Sequence, residues 1–305
     1  MTAKQRLAPQ PSYISLGGTY RRPIPTAHQH NPTVQFFCQK RHQMKPVASI
    51  RTPATATTPK GRNAALDSVR GLAIVLMIVD HVAVISFDIP IGTDNVRLVT
   101  RLALPLFAIV FGFFLIDPSL SLSQRKTTTK VAAPNRSTWA AFRRPAQILV
   151  AAFAANLLFV PEYGRLEILV SFLACSLLYL VLGRYFIAML LAVVLFQYDP
   201  TLNLLDYPLT LTASLVAIGM VLRLYGFQKA ILAAAVVTVA GLAAVPAPPL
   251  FVLLFAIPAT CIVALASVSP ELSVRWLALL GRYPLTTYVT QYYILFGARW
   301  LMTSG

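Results

Sequence analysis

The chain has 305 residues, of which 57% are hydrophobic and only 12% are charged, and its mean hydropathy is +0.67. This composition excludes an ordinary soluble domain and is typical of a polytopic membrane protein. The sequence lacks the apolar and polar alternation of membrane β-strands, so we predict an all-α transmembrane bundle. The formal net charge is +16, and residues 1–66 contribute +10 of it, because they contain ten Lys or Arg and no acidic residue.

Residues 1–63 are predicted to be a disordered basic tail, because they are rich in Pro, Thr, Gln and Arg and contain no long apolar run. Two alternatives stay open for this tail. One is an organellar transit peptide, which the proline content disfavours, and the other is a reading frame that truly starts at Met44. We predict no nucleic-acid binding by the tail, because basic residues are expected beside the cytoplasmic end of a membrane helix.

Residues 64–305 are predicted to form one transmembrane helical domain of about nine spans. Several of these spans are shorter than the roughly 20 residues that a ~30 Å hydrocarbon core requires, so eight to ten helices is the predicted range. The predicted spans cover about residues 66–87, 98–116, 145–160, 168–183, 185–198, 207–225, 229–245, 249–268 and 283–302.

The positive-inside rule places the N-terminus of this bundle in the cytoplasm. The basic tail and the loop at residues 117–144 then lie on the cytoplasmic side, together with most of the remaining Lys and Arg. The opposite side keeps four arginines, which are Arg97, Arg101, Arg165 and Arg299.

The first predicted helix carries the main candidate site, at Arg70 and His81. Eleven steps of about 100° exceed three full turns by only about 20°, so both side chains share one face and lie roughly 16.5 Å apart along it. Ionisable groups at membrane depth are costly in hydrocarbon, so this face is expected to border the bundle interior or a hydrated cavity. A neutral histidine there is a suitable general base. The alternatives are that Arg70 extends to the membrane interface and that His81 only bonds a neighbouring helix.

Two aspartates flank this face. Asp80 precedes His81 and is predicted to pair with Arg101, since both lie within roughly 10 Å of the outer ends of their spans. Such a pair would neutralise two buried charges. Asp67 lies about 60° from Arg70 around the helix and is a second candidate charge partner. The cysteines have neither the number nor the spacing of a metal site, and we predict no metal.

The pattern of an arginine, ten residues and a histidine at the end of a first membrane helix resembles the membrane-bound acyltransferase superfamily. That group includes the glycan O-acetyltransferases of the acyltransferase-3 type and the heparan glucosaminide N-acetyltransferases. Residues 66–116 are most similar to its TraX-type pilin acetylases, where an Asp-His pair precedes an Arg-x-Ala-hydrophobic-Pro-hydrophobic-Phe helix with a glycine soon after. The matching positions are Asp80, His81, Arg101, Ala103, Pro105, Phe107 and Gly112.

The resemblance implies acetyl-CoA as the acyl donor, entering from the cytoplasm, and the N-terminal amine of a conjugative pilin subunit as acceptor. It also implies a bacterial inner membrane location. His81 would then deprotonate the acceptor, and Asp80 would orient the His81 ring or favour its charged form. Arg70, Arg143 and Arg144 are the candidates for binding CoA phosphates, and the alternative for Arg143 and Arg144 is simple anchoring at the cytoplasmic interface.

The last predicted helix, in GRYPLTTYVTQYYILF, resembles the closing helix of that superfamily, in which a histidine commonly follows. This chain has Gln291 near that place and no histidine after His81. Its tyrosines are predicted to form an aromatic belt or a packed helix face, and they are Tyr283, Tyr288, Tyr292 and Tyr293.

Three other functions stay open. One is O-acetylation of a cell-surface glycan. Another is a transporter or proton pathway lined by Arg70, Asp80, His81 and Arg101, which the scarcity of ionisable residues inside the later spans disfavours. The third is an assembly factor without catalytic activity. The oligomeric state is not predicted.

Overall fold

A computed structural model describes residues 63–87, 95–116, 138–245 and 250–304 of the chain. The predicted disorder of the tail therefore lies outside the described residues. Within the described ranges the chain is helical and contains no strand, apart from one isolated bridge between Leu166 and Leu205. These helices all belong to the unit Thr58–Gly305.

Eleven α-helices and two 3₁₀ helices make up the described residues. The α-helices are α1 (Ala64–Phe87), α2 (Asn95–Thr100), α3 (Ala103–Leu115), α4 (Thr138–Tyr163), α5 (Ile168–Leu182), α6 (Leu209–Tyr225), α7 (Phe227–Ala244), α8 (Leu250–Leu254), α9 (Ala256–Val268), α10 (Arg275–Arg282) and α11 (Pro284–Ser304). The 3₁₀ helices are Gly183–Tyr198 and Pro270–Leu272.

Among the described residues, five helical segments are long and apolar enough to cross a membrane. They are Ala64–Ile85, Leu98–Leu115, Phe142–Tyr163, Ile168–Tyr198 and Phe227–Ala244, and the apolar helices Leu209–Tyr225 and Ala256–Val268 are shorter. The outer face of α4 is apolar as well, since Val150, Phe153 and Leu157 are more than half exposed. An apolar surface of this kind suits contact with lipid, and the fold is that of a helical membrane protein.

The predicted spans 168–183 and 185–198 correspond to α5 and to the 3₁₀ helix Gly183–Tyr198, which follow one another directly at Gly183. This glycine has a φ of 54°, which ends α5, and the chain continues as a 3₁₀ helix of 16 residues. A 3₁₀ helix rises about 2 Å per residue, so this one extends roughly 32 Å, the thickness of a hydrocarbon core. Ser214 of α6 supports the unusual winding, because its hydroxyl oxygen accepts the Val193 amide at 3.0 Å.

Helix α10 packs directly on the first half of α1. A Cβ at Gly281 would overlap the carbonyl of Asp67, and one at Gly71 would overlap the carbonyl of Leu277, so both positions require a residue without a side chain. Ser68 adds a bond across the same contact, since its hydroxyl oxygen accepts the Val274 amide at 2.9 Å. This packing fixes the position of the start of α11 relative to α1.

Candidate functional site

A cavity of about 1260 Å³ opens among the helices at one end of the bundle. It is bordered by the N-terminal ends of α1, α4 and α11 and by the C-terminal ends of α3, α6, α9 and α10. Several helices that are far apart in the sequence therefore have one of their two ends at this cavity.

Arginines dominate the polar lining of this cavity. They include the three that the sequence predicts as donor-binding residues, Arg70, Arg143 and Arg144, together with two that it does not predict, Arg223 and Arg282. Asp67 is the one acidic residue among the described lining residues, so the lining carries a formal charge of +4. Such a lining attracts anions.

The end of α3 organises three of these arginines. The Arg70 guanidinium lies over the Phe114 ring, 4.0 Å from its centroid, and that of Arg223 lies 4.9 Å from the centroid of Phe113. Arg144 donates a hydrogen bond of 2.6 Å to the Phe114 carbonyl. Cation–π contact and hydrogen bonding hold the cationic groups near one another despite their mutual repulsion.

Asp67, which the sequence gives as a candidate charge partner, pairs with Arg70. Asp67 Oδ1 lies 3.1 Å from Arg70 Nη1, and only 15% of the Arg70 side chain is exposed. Arg70 is therefore held at the cavity wall between Asp67 and Phe114 rather than extended to the membrane interface.

The deep half of the cavity is apolar. Phe107 and Phe111 of α3 pack against Phe172 of α5, with ring centroids 5.3 and 4.9 Å apart, and Leu169 and Val289 complete this part of the lining. The cavity thus has a cationic mouth and an apolar interior, and it suits a molecule with an anionic head and an uncharged arm.

His81 starts a chain of hydrogen bonds that runs through α11 to the start of α5. Its Nδ1 lies 3.3 Å from Gln291 Nε2, and its Nε2 lies 3.2 Å from the Tyr292 hydroxyl. The Tyr292 hydroxyl lies 3.3 Å from that of Tyr288, and Tyr288 donates a short hydrogen bond to Glu167. His81 therefore bonds a neighbouring helix, as one of the two interpretations of the sequence predicts. The hydrogen bonds continue from that helix to the carboxyl group of Glu167.

Glu167 is fixed at the start of α5, just outside the span that begins at Ile168. Its Oε2 accepts the Leu169 amide at 2.8 Å as an N-cap, and its own amide donates to Asn156 Oδ1 at 2.9 Å. Only 1% of the residue is exposed. Burial raises the pKa of Glu167 to about 8, against the opposing effect of the hydrogen bond from Tyr288.

Asp80 holds the turn before α3 against α1. Thr100 donates a hydrogen bond of 2.8 Å to Asp80 Oδ1, and Arg101 Nη2 lies 3.9 Å from the same oxygen. Arg101 Nη1 donates a further bond of 2.6 Å to the Tyr207 hydroxyl. The predicted pairing of Asp80 with Arg101 is thus present, whereas the two ring nitrogens of His81 face Gln291 and Tyr292. Gln291 and Tyr292 of α11 contact the imidazole directly, and the orienting role that the resemblance implies for Asp80 stays a prediction.

Arg70 and His81 do not open into the same cavity. Arg70 lines it, whereas His81 is not among the lining residues, and the fully buried Ile74 lies between them along α1. His81 is itself partly exposed. Among the described residues, the cavity lining therefore contains Arg70 and not His81.

The deep end of the cavity nevertheless borders the far end of the hydrogen-bonded chain. Leu169, whose amide bonds Glu167, lines the cavity, and so does Val289, the neighbour of Tyr288. Tyr288 and Tyr292 thus connect His81 to Glu167, which lies next to the deep end of the cavity.

Sequence reasoning missed Glu167, Tyr288 and Tyr292 as members of the site. Two signals were available: Glu167 is an acidic residue directly before an apolar span, and the two tyrosines are four residues apart, on one face of a helix. Tyr288 and Tyr292 are 2% and 1% exposed, whereas Tyr283 and Tyr293 are 56% and 44% exposed. The four tyrosines therefore do not form one aromatic belt.

No family model, curated protein or solved structure matches this chain.

Proposed function

We propose that the chain is an integral membrane acyltransferase that moves an acetyl group from acetyl-CoA to an amine, with His81 as general base. The observation that carries this proposal is the cavity, whose arginine-lined mouth leads into an apolar interior that ends beside the His81 chain of hydrogen bonds. The acceptor we favour is the N-terminus of a conjugative pilin subunit, and a glycan hydroxyl is the alternative.

The cavity suits the donor in charge and in size. Guanidinium groups bind phosphates through paired hydrogen bonds, so Arg70, Arg143 and Arg144, with Arg223 and Arg282, would hold the phosphates of CoA. The volume of about 1260 Å³ exceeds the roughly 300–1,000 Å³ of most small-molecule sites, which fits a ligand as long as CoA. The uncharged arm and the thioester would extend along the phenylalanines, away from water.

His81 would act on the acceptor at the end of the hydrogen-bonded chain, where the residue is partly exposed. In the reaction the acceptor nitrogen forms a bond to the thioester carbonyl carbon, the carbon–sulfur bond breaks, and the acceptor loses a proton to His81. Gln291 and Tyr292 orient the imidazole for this task. The acyl group stays on sulfur until the acceptor nitrogen has bonded to it, so the thioester and His81 have to come together, and a movement of Tyr288 and Tyr292 that allows this is part of the proposal.

The arrangement of helix ends supports a topology of about nine crossings with a cytoplasmic N-terminus. The cavity mouth collects the starts of α1, α4 and α11 and the ends of α3, α6 and α9, which lie on one side if the spans alternate in direction. The arginines at this mouth agree with a cytoplasmic side. A donor in the cytoplasm would then enter directly, in the inner membrane of a bacterium.

The test is transfer of labelled acetyl from acetyl-CoA by the full chain in lipid nanodiscs, supplied with a membrane fraction or a peptide amine. We expect transfer by the parent protein, loss of transfer in His81→Ala, and weaker donor binding in Arg143→Ala. Arg184→Ala is the matched control, because Arg184 is an exposed arginine outside the cavity lining. If His81→Ala transfers acetyl as fast as the parent, the assignment is wrong.

A second candidate function is proton conduction, which the hydrogen-bonded groups from His81 to Glu167 favour. The second test is proton flux in proteoliposomes. Flux that disappears in Asp80→Asn, in a protein that binds no acyl-CoA, would favour this function over acyl transfer.

A further inference from the structure

The hydrogen bonds between His81 and Glu167 have one consistent direction. Because Tyr288 donates its hydrogen to the Glu167 carboxylate, its oxygen is left to accept from Tyr292. The Tyr292 oxygen then accepts from a protonated Nε2 of His81, so Nδ1 is the acceptor that faces the Gln291 amide. Every hydrogen in the chain therefore points towards Glu167.

We propose that this chain is a proton relay in which Glu167 receives, through Tyr292 and Tyr288, the proton that the acceptor gives to His81. The proposal rests on the proposed acyl transfer and adds Tyr288 and Tyr292 to it as residues that act through His81, and Glu167 as the acid that protonates the leaving sulfur. The acceptor displaces the Gln291 amide from Nδ1 of His81 and gives its proton to that nitrogen. The Nε2 proton then passes to Tyr292, the Tyr292 proton to Tyr288, and the Tyr288 proton to Glu167. Each tyrosine gains one proton and loses one, so the carboxylate becomes a carboxylic acid and no charge remains on the imidazole.

The position of Glu167 indicates which group takes this proton next. Leu169, bonded to the carboxylate, lines the deep end of the cavity, where the CoA thiolate is released when the carbon–sulfur bond breaks. The thiolate takes the proton from Glu167 and leaves as CoA thiol. Over one turnover the acceptor loses a proton, the CoA sulfur gains it, and Glu167 returns to its starting state.

Gln291 can bond His81 both before and after the proton transfer, when the hydrogen bonds of the relay point in opposite directions. Its Oε1 is buried and has no hydrogen-bond partner among the described residues, whereas Nε2 faces His81. When Nδ1 carries a proton, rotation of the amide brings Oε1 to the place where it accepts that hydrogen. One side chain can therefore bond the imidazole in both states of the relay.

The surroundings of Glu167 also suit a group that takes up and releases a proton. The titratable groups that face it are Tyr288 and Tyr292 on α11 and Asp206 before α6, and none of them is a cation. Burial raises the pKa of Glu167 to about 8, and no cation among the described residues opposes this effect, so the carboxyl can take up and release a proton near neutral pH.

The first experiment measures steady-state acetyl transfer by the full chain in nanodiscs. Glu167→Gln and Tyr292→Phe keep the shape of the side chains but break the relay, so we expect kcat to fall by roughly 10²- to 10⁴-fold with the KM for acetyl-CoA unchanged. In the parent kcat rises as the pH approaches 8, and this rise disappears in Glu167→Gln. Glu162→Gln and Tyr293→Phe are the controls, since Glu162 pairs with Arg299 and Tyr293 bonds the Ala154 carbonyl, both outside the relay. A kcat within twofold of the parent in Glu167→Gln overturns the relay.

The second experiment does not depend on activity. Infrared difference spectra between pH 6 and pH 9 are recorded for the same protein without substrate. We expect a band of a buried protonated carboxyl that is missing in Glu167→Gln and whose pH midpoint moves in His81→Ala and in Tyr292→Phe. A midpoint that is the same in these two variants as in the parent contradicts the relay even if acyl transfer is observed. If the midpoint depends on His81 and Tyr292 but the parent transfers no acetyl, the hydrogen-bonded groups are coupled and the proposed acyl transfer is wrong.

Discussion

Gln291 Nε2 lies 3.3 Å from His81 Nδ1, so the last helix of the bundle supplies a partner for the histidine of the first. The resemblance to membrane acyltransferases places a second histidine near this position, and this chain has an amide there instead. The amide keeps a polar contact with the imidazole but does not titrate. The nearest titratable side chain on α11 is that of Tyr292, whose hydroxyl lies 3.2 Å from Nε2, and under the proposed acyl transfer it would take the place of a second histidine.

Replacing Gln291 by Leu tests this contact. Leucine nearly conserves the volume but leaves Nδ1 of His81 without its donor, and an unsatisfied buried polar group costs about 1–3 kcal/mol. We expect a lower melting temperature in nanodiscs and a clear fall in kcat. Gln228→Leu, at an exposed position, serves as the control and changes neither quantity. If the melting temperature and kcat of the two variants are the same, the contact between Gln291 and His81 contributes neither to stability nor to catalysis.

Arg223 and Arg282 are expected to bind the donor as strongly as the arginines that the sequence predicts. Each would lose a charge-assisted hydrogen bond to phosphate on replacement by Ala, so the Kd for acetyl-CoA should rise about 10-fold or more at low salt. The effect should shrink as salt is added, because these side chains are exposed to solvent at the mouth of the cavity. Isothermal titration of the two variants beside Arg184→Ala is the measurement, and a loss of affinity of the same size in Arg184→Ala would contradict the prediction.

Asp80→Asn is expected to weaken the outer end of α1. The substitution leaves Arg101 without its carboxylate, at a site where the two side chains are only 11% and 19% exposed. Since the pair is partly buried, we expect a loss of about 1–3 kcal/mol, below the cost for a fully buried pair. The double variant Asp80→Asn with Arg101→Gln should recover part of this loss in thermal unfolding. Strictly additive single effects would show that the two groups do not interact.

The parts of the site that the sequence predicts are those set by a single helix or by adjacent turns. The pairing of Asp67 with Arg70 follows from helical spacing, and that of Asp80 with Arg101 follows from their closeness to the same short loop. Both need only the helical repeat and the direction of two successive spans.

The remaining parts of the site depend on which helices are neighbours, and periodicity contains no such information. Arg223 and Arg282 reach the cavity because α6 and α10 end beside α1, and Glu167 meets Tyr288 across 121 residues of sequence. The long 3₁₀ helix is a second case, because its stretched winding is stabilised by Ser214 of another helix and not by a local signal.

Gly281→Ala tests the contact that places Arg282 at the cavity. The added Cβ would overlap the Asp67 carbonyl, which is backbone and cannot move without shifting α1 against α10. We expect a lower melting temperature and weaker acetyl-CoA binding, since Asp67 and Arg282 both line the cavity. Gly297→Ala on α11 is the matched control, because nothing lies within 4 Å of its added Cβ and alanine favours a helix by about 1 kcal/mol. A stabilising effect in both variants would show that α1 and α10 are not in close contact.

The stability of the protein should fall as the pH rises from about 5 to 8, and Glu167 should account for part of this fall. Burial raises the pKa of Glu167 to about 8, against about 4.3 for glutamate in an unfolded chain. Between these two values the folded state binds more protons than the unfolded state, so the free energy of unfolding decreases with rising pH. Asp206, whose pKa burial raises to about 6, contributes in the same direction. Glu167→Gln mimics the protonated side chain and retains Asp206, so its melting temperature should fall less over this range than that of the parent. Glu162→Gln should keep the full dependence of the parent, and a parallel dependence in Glu167→Gln would mean that the Glu167 carboxyl is ionised throughout.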